Sequence, residues 1–151
     1  IADLAIVSDA QGYLRLLSAV SNSSDIGRAG RLYELQAASE LVRSGAVSNI
    51  EFVSKFSRTA EGRTDIDIIA DGVYYQVKIS KDAFRQGGKI ADAPKKAQAW
   101  VAKARQDAID SGILDPVIKY IVPSADVVPD SVQAFFDNPL NPIEVLTLPL
   151  P

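Results

Sequence analysis

The segment Thr64 to Ser80, TDIDIIADGVYYQVKIS, constrains the fold more than any other part of the chain. Asp71-Gly72 sits between two runs of β-branched and aromatic residues, the signature of a hairpin closed by a two-residue turn. A two-residue loop fixes the register: Ala70 stands opposite Val73, Ile69 opposite Tyr74, Ile68 opposite Tyr75, Asp67 opposite Gln76, Ile66 opposite Val77 and Asp65 opposite Lys78. Alternation then predicts a core face of Ile66, Ile68, Ala70, Val73, Tyr75, Val77 and Ile79. The other face collects Asp65, Asp67, Gln76 and Lys78.

On either side of the hairpin the chain alternates between helical and extended patterns. Ser24 or Asp25 can cap a helix from Ile26 to about Ser44, stopped by Gly45. IEFVSKF spaces Ile50, Phe52 and Phe56 as a strand does, and SRTAEGR reads as a loop. Beyond the Gly- and Pro-interrupted RQGGKIADAP, a helix is expected from Lys95 to about Ser111, then the buried strand VIKYIVP and a short helix PDSVQAFF. This order of helix, three strands, helix, strand, helix predicts a mixed α/β sandwich.

With 151 residues, 47% of them apolar, the chain suits one domain with one sizeable core. No run is long and apolar enough to span a bilayer, and no signal-peptide pattern opens the sequence. There is no methionine, which leads us to expect a module cut from a longer protein, and LTLPLP reads as a chain end. Without cysteine or histidine, zinc sites built from them, thiol nucleophiles and histidine bases are excluded. Chemistry must run on carboxylates, amides, hydroxyls, Lys or Arg. The net charge of −3 argues against indiscriminate coating of nucleic acid, but charge is unevenly spread. Residues 78–105 hold 8 Lys and Arg against 2 acids, and residues 106–151 hold 1 against 7. The basic stretch could follow a phosphate backbone or be a solvated helix face.

Opposed residues on one hairpin face have Cβ atoms roughly 4.5–5.5 Å apart, so Asp67 and Gln76 oxygens can converge on one cation with Lys78 and Asp65 a step away. Mg²⁺ suits such an oxygen site because it takes few protein ligands and keeps water and substrate phosphate around it. A polar hairpin face with an Asp65–Lys78 surface ion pair, worth about 0–1 kcal/mol, is the plainer alternative. An upstream acid favours the site. Glu34, Ala37, Ala38 and Leu41 share a helical stripe, so Glu34 turns inward while Glu40 turns outward. A carboxylate on such a stripe needs a partner, either a cation or a salt bridge to Arg31 or a neighbouring strand.

Taken together, GRLYELQAASELVRSG, TDIDIIA and YYQVKIS resemble the PD-(D/E)xK nuclease superfamily, over Gly30 to Ser80 for motifs and to about Phe136 for element order. Glu34 matches the helical Glu of that family, Asp67 its metal-binding Asp and Lys78 its lysine. Gln76 replaces the middle acid, a QxK variant similar to that of Mrr-like nucleases. The resemblance implies an α/β, restriction-endonuclease-like core with a mixed central sheet of about four strands flanked by helices. It divides the chain into a lead-in at 1–24, a nuclease core at 25–136 and a tail at 137–151. It also implies a metal-dependent endonuclease acting on DNA or tRNA with Mg²⁺ or Mn²⁺, the ion held by Asp67, Gln76, Glu34 and Asp65. Lys78 would orient or deprotonate the attacking water. Arg58, Arg63, Lys81, Arg85 and Lys89 are candidates to grip phosphates.

A methionine-free module of this size also resembles the C-terminal toxin domains of contact-dependent growth inhibition proteins and related polymorphic bacterial toxins. That implies a secreted or cell-surface parent, delivery to the cytoplasm of a target bacterium, and a cognate immunity protein. Alternatives are a restriction or repair nuclease fragment and a non-catalytic binding module. Of the remaining residues, Trp100 is expected in the core, Tyr74 partly buried under the preceding helix, and Gly87-Gly88 in a flexible connection.

Overall fold

The computed structural model describes residues 12–14, 18, 25–44, 49–59, 62–85, 88–140 and 142–150; the side chains of 25–27, 52–59 and 62–65 lie outside that description. In chain order the elements are α1 (Asp25–Arg43), β1 (Ile50–Thr59), β2 (Gly62–Ala70), β3 (Val73–Val77), α2 (Ala93–Asp110), β4 (Val117–Val122), α3 (Asp130–Phe136) and β5 (Glu144–Thr147). The strands form one mixed sheet in the order β1-β2-β3-β4-β5, antiparallel from β1 to β3 and parallel from β3 to β5. Among the described residues the protein is therefore α/β, a five-strand mixed sheet flanked by the helices α1, α2 and α3. Among the described residues no helix is long and apolar enough to cross a membrane.

Asp71-Gly72 makes the expected turn. Both residues have positive φ, 48° and 80°, the requirement of the turn whose twist matches its strands. The pairs Ala70↔Val73, Ile69↔Tyr74 and Ile68↔Tyr75 follow in the predicted register. Asn49 locks the turn to the start of β1: its N–H donates to Asp71 Oδ1 at 3.0 Å and its carbonyl accepts from the Asp71 N–H at 3.0 Å.

Both sheet faces are covered. Tyr33, Ala37, Ala38 and Val42 of α1 pack on Ile68, Ala70, Tyr75, Val77 and Ile121. The opposite layer buries Ala97, Trp100 and Ala104 of α2 and Val132 and Phe136 of α3 against Tyr74, Ile118, Tyr120 and Val122. Tyr120 is the hub of this layer, 5.1 Å from the Trp100 ring, edge-on, and 4.6 Å from that of Phe136.

Four expectations need correction. SRTAEGR is not all loop: Ser57↔Thr64, Arg58↔Arg63 and Thr59↔Gly62 continue the ladder, because backbone pairing does not require apolar side chains. The sheet has five strands, the fifth lying in the segment read as tail, where it pairs in parallel with β4. Ile66 joins the α2 layer instead of the α1 layer. Between the pairs Phe52↔Ile68 and Lys55↔Ile66, two residues of β1 stand against Asp67 alone, a β-bulge that increases local twist and interrupts alternation there. Finally, Tyr74 is buried under the following helix, α2, not the preceding one.

Candidate functional site

Three polar residues are buried among the described residues: Glu34 at 5% exposure, Asp67 at 3% and Gln76 at 2%. Burying such groups costs free energy unless they are bonded, so their position needs an account. Two of them meet where β2 and β3 part.

The β2–β3 ladder runs only to Ile68↔Tyr75. One step further, Asp67 Oδ2 accepts a hydrogen bond from the Val77 backbone N–H at 2.9 Å, a buried contact. That nitrogen belongs to the Gln76–Val77 peptide, so the carboxylate lies against Gln76. β3 meanwhile stays paired with β4 through Gln76↔Tyr120 and Val77↔Ile121, and the Lys78 N–H donates to the Ile121 carbonyl at 3.0 Å. The two strands thus fork, and Asp67 bridges the opening.

Gln76 and Tyr120 are register partners in a parallel pair, and Tyr120 belongs to the α2 layer. Burial foremost, and the Asp67 carboxylate after it, hold the Tyr120 hydroxyl far above the ordinary tyrosine range. Asp67, Gln76 and Tyr120 therefore share the α2 side of the sheet. Gln76 Oε1 is buried without a hydrogen-bond partner, as is Trp100 Nε1 in the same layer. An acceptor in that condition lacks a donor or cation. Asp67 and the Gln76 oxygen are the kind of hard-oxygen set Mg²⁺ takes, with water filling the remaining positions, so these residues fit such an ion. Among the described residues no group of three or more acids forms a metal cluster.

Glu34 turns inward from α1, and Glu40 turns outward to pair with Arg43 at 3.3 Å. Glu34 Oε1 receives Arg31 Nη1 at 2.9 Å, the salt bridge expected as its alternative. Its neighbours Tyr33 and Ala37 belong to the α1 layer, on the other side of the sheet from Tyr120. Lys78, half-buried, follows the fork directly.

Asp65 pairs with Phe56, and Arg58 faces Arg63, in the β1–β2 ladder; their side chains lie outside the described residues. Lys81 and Lys89 are exposed. Arg85 is bound locally, to Asp82 at 3.0 Å and to the Gly88 carbonyl at 3.4 Å. Gly88 has a φ of 79°, and Gly87 lies outside the described residues. Trp100 is in the core as expected, 1% exposed.

Two participants escaped the sequence reading. Tyr120 gave only the signal of an aromatic residue in an apolar strand, and its role depends on the β3–β4 pairing. Lys96, which the sequence places merely in a basic run, donates to the carbonyls of Ala83 at 3.1 Å and Arg85 at 3.0 Å. It fastens the short 3-10 turn Lys81–Phe84 that follows the fork. Compared with known proteins, the chain matches no family model, no curated protein and no solved structure.

Proposed function

We propose that the protein is a metal-dependent nuclease with a restriction-endonuclease-like core, hydrolysing phosphodiester bonds of DNA or tRNA at the β2–β3 fork. One observation carries the reading: the buried polar residues Glu34, Asp67 and Gln76 are those that the Glu, Asp and QxK pattern singles out. The fork lies at the carboxyl end of β3, beside its parallel neighbour β4, and crevices at such strand ends are the usual ligand sites of open α/β sheets.

In this reading Asp67 and Gln76 would hold Mg²⁺ or Mn²⁺. A bound divalent ion supplies charge neutralisation at phosphate and an acidified water. The Val77 N–H fixes the orientation of the Asp67 carboxylate. Lys78 would orient the attacking water, and Glu34, bound to Arg31 on the α1 side of the sheet, would serve as the helical acid of the pattern. Lys81 and Lys89 contribute to a positive approach for the backbone.

A second reading, a binding module without chemistry, is favoured by one observation: Arg31 already neutralises Glu34. Incubation with plasmid DNA and with total tRNA, with Mg²⁺ and with EDTA, separates the two. Cleavage that chelation abolishes is expected; intact substrates in Mg²⁺ and in Mn²⁺ would remove the nuclease reading. The role of interbacterial toxin module, with delivery into a target cell and a cognate immunity protein, rests on the sequence resemblance. Growth arrest on cytoplasmic expression, relieved by Asp67→Asn, is its test.

A further inference from the structure

The end of the sheet remote from the fork carries a groove of about 870 Å³, set between the C-terminal turns of α2 and α3 and the first residues of β4 and β5. Its members Val117 and Ile118 precede Ile121, the register partner of Val77, by three to four residues. At ~3.3 Å per residue this places the groove about 10–13 Å along the strand from the fork. Of the eight large apolar side chains exposed among the described residues, Ile109, Leu114, Val117 and Leu140 line this one groove, Leu114 being 97% exposed and Leu140 85%. Singly exposed leucines need no explanation, but apolar side chains gathered around a concavity mark a surface that another molecule covers.

The charges around it indicate what kind of molecule. Asp115, Asp137 and Glu144 line the groove, against Arg105. Lys119 reaches Glu144 at 3.1 Å, and Asp137 receives the Gln133 amide at 2.9 Å, a neutral partner that leaves its charge in place. Apolar side chains interspersed with three carboxylates against one guanidinium disfavour phosphate backbones and acidic peptides and attract positive charge.

We propose that this groove docks a segment of a partner protein that presents leucine-like side chains flanked by Lys or Arg, and that it does so independently of the fork. The occupant is an amphipathic basic segment, its apolar side chains seated against Leu114 and Leu140 and its cations over Asp115 and Asp137.

Two synthetic peptides with the same helical leucine pattern, one with Lys and one with Glu at the polar positions, test this against the ¹⁵N-labelled protein by NMR titration. The Lys peptide is expected to bind in the micromolar range, shifting resonances of residues 109–118 and 136–144 and leaving those of 66–68 and 76–78 in place. Leu114→Asp with Leu140→Asp, both at exposed positions, should weaken it at least tenfold with the circular dichroism spectrum unchanged. Absence of binding, equal binding of the Glu peptide, shifts centred on the fork, or an unaffected double variant would each overturn the proposal. Sedimentation covers a rival occupant: concentration-dependent dimerisation that the same double variant abolishes would make the occupant a second copy of this chain and overturn it too.

Discussion

Asp67 and Val77 are joined by a side-chain to backbone hydrogen bond of 2.9 Å at a point where the ladder between their strands has already ended. The carboxylate does there what a carbonyl would do in a continued ladder. Its removal therefore has a structural effect separable from any chemical one. Asp67→Ala strands a buried N–H and should lower stability by about 1–3 kcal/mol, read from urea denaturation. Asp67→Asn retains an acceptor and should unfold near the wild-type midpoint while losing metal-dependent cleavage. Equal stability of Asp67→Ala and wild type would show that the bond contributes nothing.

Lys78 is held by its backbone, through the Ile121 carbonyl, and its side chain is half-buried. Lys78→Ala should leave the denaturation midpoint almost unchanged and reduce cleavage by about 10²-fold or more, the usual range for losing a group that handles the nucleophile's proton. A fully active Lys78→Ala protein would refute the assigned role.

Gly72 has a φ of 80°, and a Cβ built there meets only Ile113 Cδ1, at 3.8 Å. Space is adequate, so the cost of Gly72→Ala is the left-handed backbone alone, about 1–2 kcal/mol. Chemical denaturation measures it. A neutral result would mean that the turn relaxes to another type, detectable as a change in exchange protection of the Ala70 and Val73 amides.

Burial pushes the Tyr33 hydroxyl from 10.0 up to about 12, and burial likewise raises Tyr74, Tyr75 and Tyr120. Tyrosine is neutral when protonated, and the folded state holds these protons more tightly than the unfolded chain. Their contribution is whole below the ordinary value near 10 and is lost as pH rises from there through about 12 for Tyr33. Urea midpoints should be flat to about pH 9.5 and fall steeply above it. Tyr33→Phe should reduce the slope between pH 10 and 12.

The hairpin was legible because its turn is local: Asp71-Gly72 dictates the first three pairs, but the expected Asp67–Gln76 pair does not form in the ladder, and Asp67 accepts from the Val77 N–H instead. Glu34 was legible from the 3.6-residue stripe, and so was its Arg31 alternative. The second covered face was not. Asp67 and Gln76 interrupt the apolar pattern on that side and make it look solvent-facing, whereas α2 closes over it. Ile66 was misplaced for a related reason: the bulge opposite Asp67 lies on β1, and nothing in the β2 sequence reveals a twist imposed by its neighbour. β5 is four residues between proline-containing segments, too short for a period to register, and it is a strand because β4 offers it an edge.

That last strand carries a kinetic consequence. Leu148 donates its N–H to the Val122 carbonyl at 2.8 Å and accepts the Tyr33 hydroxyl at 2.7 Å, while Gln36 donates to the Pro149 carbonyl at 3.1 Å. Residues more than a hundred positions apart are thereby fastened across α1, a long loop that must close before its contacts compensate for the lost chain entropy. Final consolidation waits on the arrival of Leu148 and Pro149. A polypeptide emerging N-terminus first from a ribosome stays incompletely assembled, and susceptible to proteases, until Leu148 and Pro149 have emerged.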